Sequence, residues 1–192
     1  FMHDIEPFYS WRDYYIASED KLSPFYRRKY SEFSFHNKVY NYYIHPQWDS
    51  FGSSTLYCKV IYVGYDKHIA VIEMLGEWND TLHNDIMIFK EEVIDPLLQE
   101  GVSKFILIGE NVMNFHASDE SYYELWQEEV RDMDGWILCL NFHKHVVDEM
   151  RRYRLHHYMD IPLELEETEW RKIKPVYIHK IAEEWLQKSI GN

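Results

Sequence analysis

The sequence has only two cysteines in 192 residues, Cys58 and Cys139. Their number and spacing match neither a disulfide framework nor a zinc-ligand pattern. Both fall in stretches that read as strands, where a free cysteine packs as a small hydrophobe. Basic residues are also scarce, with 20 Lys and Arg against 33 Asp and Glu, a net charge of −13. Phosphate contacts need a concentration of Lys and Arg, so this balance argues against nucleic acid as a partner. An acidic surface is simply the surface of a soluble protein. No apolar run reaches the roughly 18 residues that suggest a membrane span, and no signal-like apolar segment opens the chain. The expectation is a cytoplasmic protein with no membrane partner. Phe1 precedes Met2, which reads as the native start. Internal repeats, low-complexity segments and a linker to a second domain are absent, and so is any catalytic motif of high specificity.

Aromatic residues, by contrast, are plentiful at 17%, and eleven of the sixteen tyrosines fall at or before Tyr65. A stacking platform for single strands is one reading of such residues. With few cations beside them, packing and surface decoration fit better.

The chain is organised around residues 57–142. Residues 56–63 (LYCKVIYV) are β-branched and aromatic and predict a strand. Gly64 to Lys67 supplies a turn. Residues 69–75 (IAVIEML) predict the return strand of a hairpin, apolar on both faces at Ile69 to Ile72, as in a covered sheet. Glu73 then reads as a solvent-facing or edge position, with a buried, perturbed carboxylate as the alternative. Gly76 to Asn79 closes that strand, and Asn79 or Asp80 can cap the next element.

Within residues 81–100, Ile86, Phe89, Val93 and Leu97 form one helical stripe. Pro96 removes a backbone donor and predicts a kink or restart. Gly101 is a helix-ending residue. Residues 104–108 (KFILI) predict a buried parallel strand, followed by a Gly109-Glu110-Asn111 turn. Residues 118–131 predict an acidic amphipathic helix with Tyr122, Leu125, Trp126 and Val130 inward and Ser118 or Asp119 as its cap. Residues 135–142 (GWILCLNF) predict another buried strand, and 145–158 a helix with Val146, Met150 and Tyr153 on one face.

Alternating strands and helices imply right-handed crossovers and a mostly parallel sheet, made mixed by the first hairpin. Before this unit, Tyr26 to Tyr30 (YRRKY) is the most basic spot of the arm, either an anion or partner contact or a solvated patch. Residues 32–44 allow two short strands joined by His36-Asn37-Lys38. After it, residues 163–169 (LELEETE) read as an edge strand or ordered tail, and Pro175 opens a final helix with Ile178, Ile181, Ala182, Trp185 and Leu186 inward. The division expected is an aromatic-rich extension packed on the core (1–54), an α/β core (55–160) and a C-terminal extension with a helix (161–192), in one globular unit.

Ligands of open α/β sheets sit beyond the carboxyl ends of the strands. Those ends carry Glu77, Trp78, Asn79 and Asp80; then Glu110, Asn111, Asn114 and His116; then Asn141, His143 and His145. Glu77, Asp80, Glu110, Asn111, His116 and His143 are the ligand-binding candidates of this rim. Glu110, His116 and His143 have ligand types suited to a divalent metal, and Ser118 with His116 could pair a nucleophile with a base. The competing reading is that such residues cap helices and solvate turns. No residue is assigned as catalytic or as a metal ligand, and no cofactor is implied. His143 and His145 are two apart and should diverge, and adjacent His156 and His157 should point in different directions. The acidic helix, with Glu124, Glu128, Glu129, Asp132 and Asp134 beside Tyr122, Tyr123 and Trp126, would suit a protein interface, as would Trp170 and Trp185.

The order strand, strand, helix, strand, helix, strand, helix over residues 56–158, with Ile69 to Glu77 (IAVIEMLGE) as second strand and closing glycine, resembles the STAS domains of the anti-sigma-factor-antagonist type. That resemblance implies a bacterial regulatory or protein-interaction module that needs no catalysis. The family's phosphorylated Asp-Ser-Ser/Thr-Gly turn would correspond to residues 114–121, which makes Ser118 the phosphorylation candidate. The glycine is missing there, and Asp119 and Glu120 would oppose a phosphate by like charge. The reading is therefore a non-enzymatic STAS-like module with a protein partner or a second copy of itself. Its alternative is a small-molecule- or metal-dependent enzyme with its site at the strand ends.

Overall fold

The structure, a computed structural model, describes residues 5–162 and 168–190. Residues 163–167 of the expected edge strand therefore lie outside the described residues. In chain order the strands and helices are β1 (Lys38–Val39), β2 (Tyr42–Tyr43), β3 (Asp49–Ser50), β4 (Leu56–Gly64), β5 (Ile69–Asn79), α1 (Asp80–His83), α2 (Asp85–Phe89), α3 (Asp95–Gln99), β6 (Lys104–His116), α4 (Ser121–Asp132), β7 (Trp136–Leu140), α5 (Lys144–Arg152) and α6 (Ile178–Ile190).

Five strands form one mixed sheet in the order β3-β4-β5-β6-β7. The hairpin β4–β5 and the short β3 pair antiparallel, while β5–β6 and β6–β7 pair parallel. This is the mixed α/β sheet with an initial hairpin that the element order predicts. After α5 the chain returns along β7 through a single parallel bridge, Leu138 to Asp160. The arm carries a separate two-stranded hairpin, β1–β2. Its turn is Tyr40-Asn41, both at positive φ, rather than His36 to Lys38. Two positive-φ residues give the twist that a two-residue hairpin turn requires.

The expected helix 81–100 is broken twice. Asn84, at φ +52, separates α1 from α2. A π-helical turn, Lys90–Ile94, then leads into α3, where Pro96 is the second residue. Proline has no N–H to donate to the carbonyl four residues back and its ring clashes with that carbonyl, and a π turn lets the chain pass.

Strands β5 and β6 run past the glycines that were read as their ends. Pairing continues from Leu75–Asn111 to Asn79–His116, with register shifts at Glu73/Leu75 and Gly76/Glu77. Gly109-Glu110-Asn111 is therefore part of a bulged strand and not a turn. A bulge absorbs the extra residues while the ladder goes on. Gly109 is required there because a Cβ would lie 2.2 Å from the Phe142 ring.

The sheet is covered on both faces. Cys58, Val60, Ile72, Phe105, Leu107 and Cys139 pack with Phe89, Leu97, Trp126 and Met150 of the helices. On α4 the buried residues are Tyr123, Trp126 and Val130, while Leu125, expected inward, is exposed. Tyr123 and Trp126 are thus core residues and not interface aromatics. The opposite face, with Val71, Ile106, Ile108 and Leu138, lies under Trp11 of the arm and Trp170, Ile178 and Ala182 of the C-terminal segment. Phe8, Trp11 and Trp170 meet edge to face at 5.1–5.6 Å between ring centroids. Trp170 is fully buried, so it too is an internal contact.

This cover corrects the reading of Glu73. It lies in the central strand β5 and is only 2% exposed. The Phe8 N–H points at both carboxylate oxygens at 3.4 Å. Burial pushes its pKa up to about 7, against the Arg171 charge and the Phe8 N–H, which pull it down.

Candidate functional site at the strand ends

Of the six rim candidates, four fall into two exposed or half-exposed groups, Asp80 is a buried carboxylate and Asn111 stands apart. In the first group, Glu77 accepts from the Tyr40 hydroxyl at 2.5 Å and from Asn79 Nδ2 at 2.9 Å. His116 Nε2 lies 4.0 Å from Glu77 Oε1. Asn114 Nδ2 donates to the Tyr40 hydroxyl at 2.8 Å, so the arm hairpin is tied to both β5 and β6. Burial raises the Glu77 pKa, but the Tyr40 and Asn79 hydrogen bonds and the His116 charge outweigh it and hold it below the ordinary value.

The second group centres on Glu110. Its Oε1 accepts from Asn141 Nδ2 at 2.8 Å, Trp170 Nε1 at 2.9 Å and Arg171 at 3.1 Å, and its Oε2 accepts from Arg171 at 2.6 Å. The arginine fork on a carboxylate is among the stronger charge-assisted arrangements. Burial alone would raise the Glu110 pKa; the Arg171, Asn141 and Trp170 hydrogen bonds bring it below its ordinary value. Asn141, at φ +57, also accepts from the Thr168 N–H at 2.8 Å and donates to the Thr168 carbonyl at 3.0 Å. Glu110 and Asn141 thus fasten the segment from Thr168 to Arg171 across the end of the sheet.

His143 and His145 belong beside this group, and they do not diverge. Their rings stack at 5.9 Å with 12° between planes. His143 is the extended N-cap of α5 and His145 its second residue, so the chain turns between them and both reach the extension of β6. His143 Nε2 meets the Glu110 carbonyl oxygen at 2.7 Å, and His145 Nε2 meets the Met113 carbonyl oxygen at 2.6 Å. A carbonyl only accepts, so both rings carry hydrogen on Nε2. His156 and His157 also touch, edge to face at 4.5 Å, because they lie on a tight 3₁₀ turn.

Asp80 is buried, at 5% exposed. Its Oδ1 accepts from Trp78 Nε1 at 3.0 Å and the Ile86 N–H at 2.8 Å, and its Oδ2 accepts from the Tyr123 hydroxyl at 2.5 Å. Burial pushes its pKa up to about 6 in spite of these donors. Asn79 caps α1 as expected, accepting from the Leu82 N–H at 2.9 Å. Asn111 is half-buried opposite Leu75 in the sheet. Ser118 is exposed in the connection between β6 and α4, which starts at Ser121, and Asp119 accepts from the Ser121 N–H at 2.6 Å.

A cleft of about 350 Å³ opens at the end of β7, lined by Glu110, Asn141, Phe142, His143, Val147 and Pro162. It brings together Glu110 and His143 and leaves out Glu77, Asp80, Asn111 and His116. Among the described residues, no group of three or more His, Cys, Asp and Glu is placed to hold a metal ion. No helix among the described residues is long and apolar enough to cross a membrane. Tyr40 and Arg171 are site residues that the sequence does not single out, and Trp170, expected at an interface, is instead a buried partner of Glu110. The one local signal was the switch from the acidic run ending at Glu169 to Trp170-Arg171-Lys172.

No protein-family model matches this chain, and no curated protein matches it in sequence. Solved structures do. The unphosphorylated anti-sigma factor antagonist SpoIIAA is 16% identical over 56% of this chain and 89% of its own, with a TM-score of 0.42. The phosphorylated Bacillus cell fate determinant SpoIIAA is 15% identical over 56% and 92%, with a TM-score of 0.38. The NMR structure of the protein TM1081 is 16% identical over 78% of this chain and 95% of its own, with a TM-score of 0.44.

Proposed function

We propose that this chain is a non-enzymatic α/β regulatory module of STAS-like type that acts in the cytoplasm through a protein partner or a second copy of itself. The observation that carries the reading is the use made of the strand-end polar groups. Glu110 is held by Asn141, Trp170 and Arg171, and the His143 and His145 rings bond backbone carbonyls. These groups serve to close the chain over its own sheet. The arm meanwhile presents Phe33, Tyr42 and Tyr43, which are 91%, 50% and 45% exposed. Exposed aromatics of this kind are enriched at protein interfaces.

The second reading is a small-molecule- or metal-dependent enzyme, favoured by the cleft that Glu110 and His143 share. One comparison separates the two. Wild-type protein and a Phe33→Ser/Tyr42→Ser variant are tested for partner capture and, by light scattering, for self-association, beside a thermal-shift screen with divalent metals and metabolites. Association lost in the variant, with no thermal shift that depends on His143, is the expected result. Association indifferent to the variant, with a thermal shift abolished by His143→Ala, would overturn the module in favour of the enzyme.

A further inference from the structure

A second cleft, of about 200 Å³, lies where the arm crosses β4, away from the strand ends. Pro7, Phe8, Ile16 and Ala17 form its arm wall, and Val60 and Ile61 form its strand wall. Strand β3 pairs with β4 only at Cys58 and Tyr57, so beyond Cys58 the outer edge of β4 is bordered by the arm. Into this space, whose lining also includes Tyr15, Ser18, Tyr30 and Gln47, come two cationic side chains, Arg12 and Lys59.

Lys59 is 8% exposed, an unusual place for a lysine. Its ammonium lies 4.0 Å above the Tyr30 ring and 3.7 Å from Asp49 Oδ2, beyond hydrogen-bond length. Asp49 is fully buried; its Oδ1 accepts from Tyr30, while Oδ2 has no hydrogen-bond partner among the described residues. Burial lowers the Lys59 pKa; Asp49 opposes this, and the Arg12 charge adds to it. The Arg12 guanidinium, for its part, has no ion pair or hydrogen bond among the described residues. Two cations thus face one small cleft in a chain whose net charge is −13. A buried charge without full pairing is costly, and an anion held against Lys59 by the solvent-exposed Arg12 would relieve it.

We infer that this cleft binds a small organic monocarboxylate, its carboxylate between Arg12 and Lys59 and its carbon chain against Phe8, Ile16 and Ile61. Arg12 supplies the planar fork that matches a carboxylate, and Lys59 supplies a point charge beneath it. The apolar walls select a ligand with a hydrocarbon part. The buried Asp49 beside Lys59 repels a second negative charge, which favours a carboxylate over a dianionic phosphate. The site is independent of the module reading and survives its failure.

The test uses the full chain with sodium butyrate, against sodium phosphate and sodium chloride at matched ionic strength. Butyrate should raise Tm saturably, by about 5 °C or more at a hundredfold excess over Kd. Arg12→Gln, at an exposed position, should keep the fold and weaken butyrate at least about tenfold, as expected for loss of a charge-assisted pair. Lys59→Met, which retains the buried stem, should do the same. A wild type that responds to butyrate no more than to chloride overturns the site. So does butyrate binding left unchanged by Arg12→Gln, whether or not Lys59→Met folds. Phosphate binding tighter than butyrate overturns the ligand class.

Discussion

The Trp170 indole donates its N–H to Glu110 at 2.9 Å, and in doing so joins the bulged middle of β6 to a residue sixty positions later. Because Trp170 is fully buried and Glu110 is half-buried, the bond decides how the C-terminal segment sits. Glu110→Ala leaves the Trp170 and Asn141 donors without their acceptor and should cost about 2 kcal/mol in urea unfolding. Trp170→Ala removes the indole from the aromatic cluster and should cost about 3–5 kcal/mol. If Trp170→Ala unfolds at the wild-type urea midpoint, the segment does not hold the sheet cover in place.

Gly76 is a second point of leverage. It has φ +118 within β5, and a Cβ there would lie 2.1 Å from the Thr55 carbonyl oxygen. Gly76→Ala combines positive-φ strain with overpacking against backbone, so a loss of at least about 2 kcal/mol is expected. A thermal melt matching wild type would show that the bulge relaxes freely.

Glu73 makes stability depend on pH in the sense opposite to a salt-bridged carboxylate. Its ordinary pKa is 4.5, and in the fold it is about 7, so the folded state holds the proton more tightly than the unfolded chain. Its contribution is therefore fully present below pH 4.5 and lost as pH rises through 7. Glu73→Gln should remove that loss. Relative to wild type, the variant should gain on the order of 3 kcal/mol between pH 4 and pH 8. Parallel stability curves for the two proteins would mean that Glu73 is solvated.

Tyr123 and Asp80 provide a spectroscopic check. The Tyr123 hydroxyl donates to Asp80 and draws its pKa down, against the burial that raises it to about 6. Tyr123→Phe should move the Asp80 titration to higher pH, followed by the carboxyl carbon in NMR, and cost about 1–2 kcal/mol. An unmoved titration would show that Tyr123 does not bond Asp80 in solution.

What could be read from the residues divides along the line between local and distant causes. The hairpin of β4 and β5, the apolar core of β6 and the stripe of Ile86, Phe89, Val93 and Leu97 follow from short-range periodicity, and each is buried as read. The ends of β5 and β6 did not, because Gly76 and Gly109 look like stops when the bulges that accommodate them depend on Thr55 and Phe142. Glu73 reads as a solvent-facing or edge position, and what faces it comes from far along the chain: the Phe8 N–H and the Arg171 charge. At the strand ends, the chemistry of Glu77 and Glu110 was visible, but their partners Tyr40, Trp170 and Arg171 were not. They lie 37 to 61 residues away, and the local switch to Trp170-Arg171-Lys172 does not say which groups they meet.

The two covers of the sheet also set an order of events. The helical cover is contributed by segments that alternate with the strands, so that face can form as the polypeptide emerges. The other face waits for Trp170, Ile178 and Ala182, and Trp11 has no indole to pack on until Trp170 arrives. Until residues 170–182 are made, Val71, Ile106, Ile108 and Leu138 are therefore an apolar wall that only the arm can cover. A ribosome paused before Trp170 would hold a chain with that side of its sheet covered by the arm but not by the C-terminal segment.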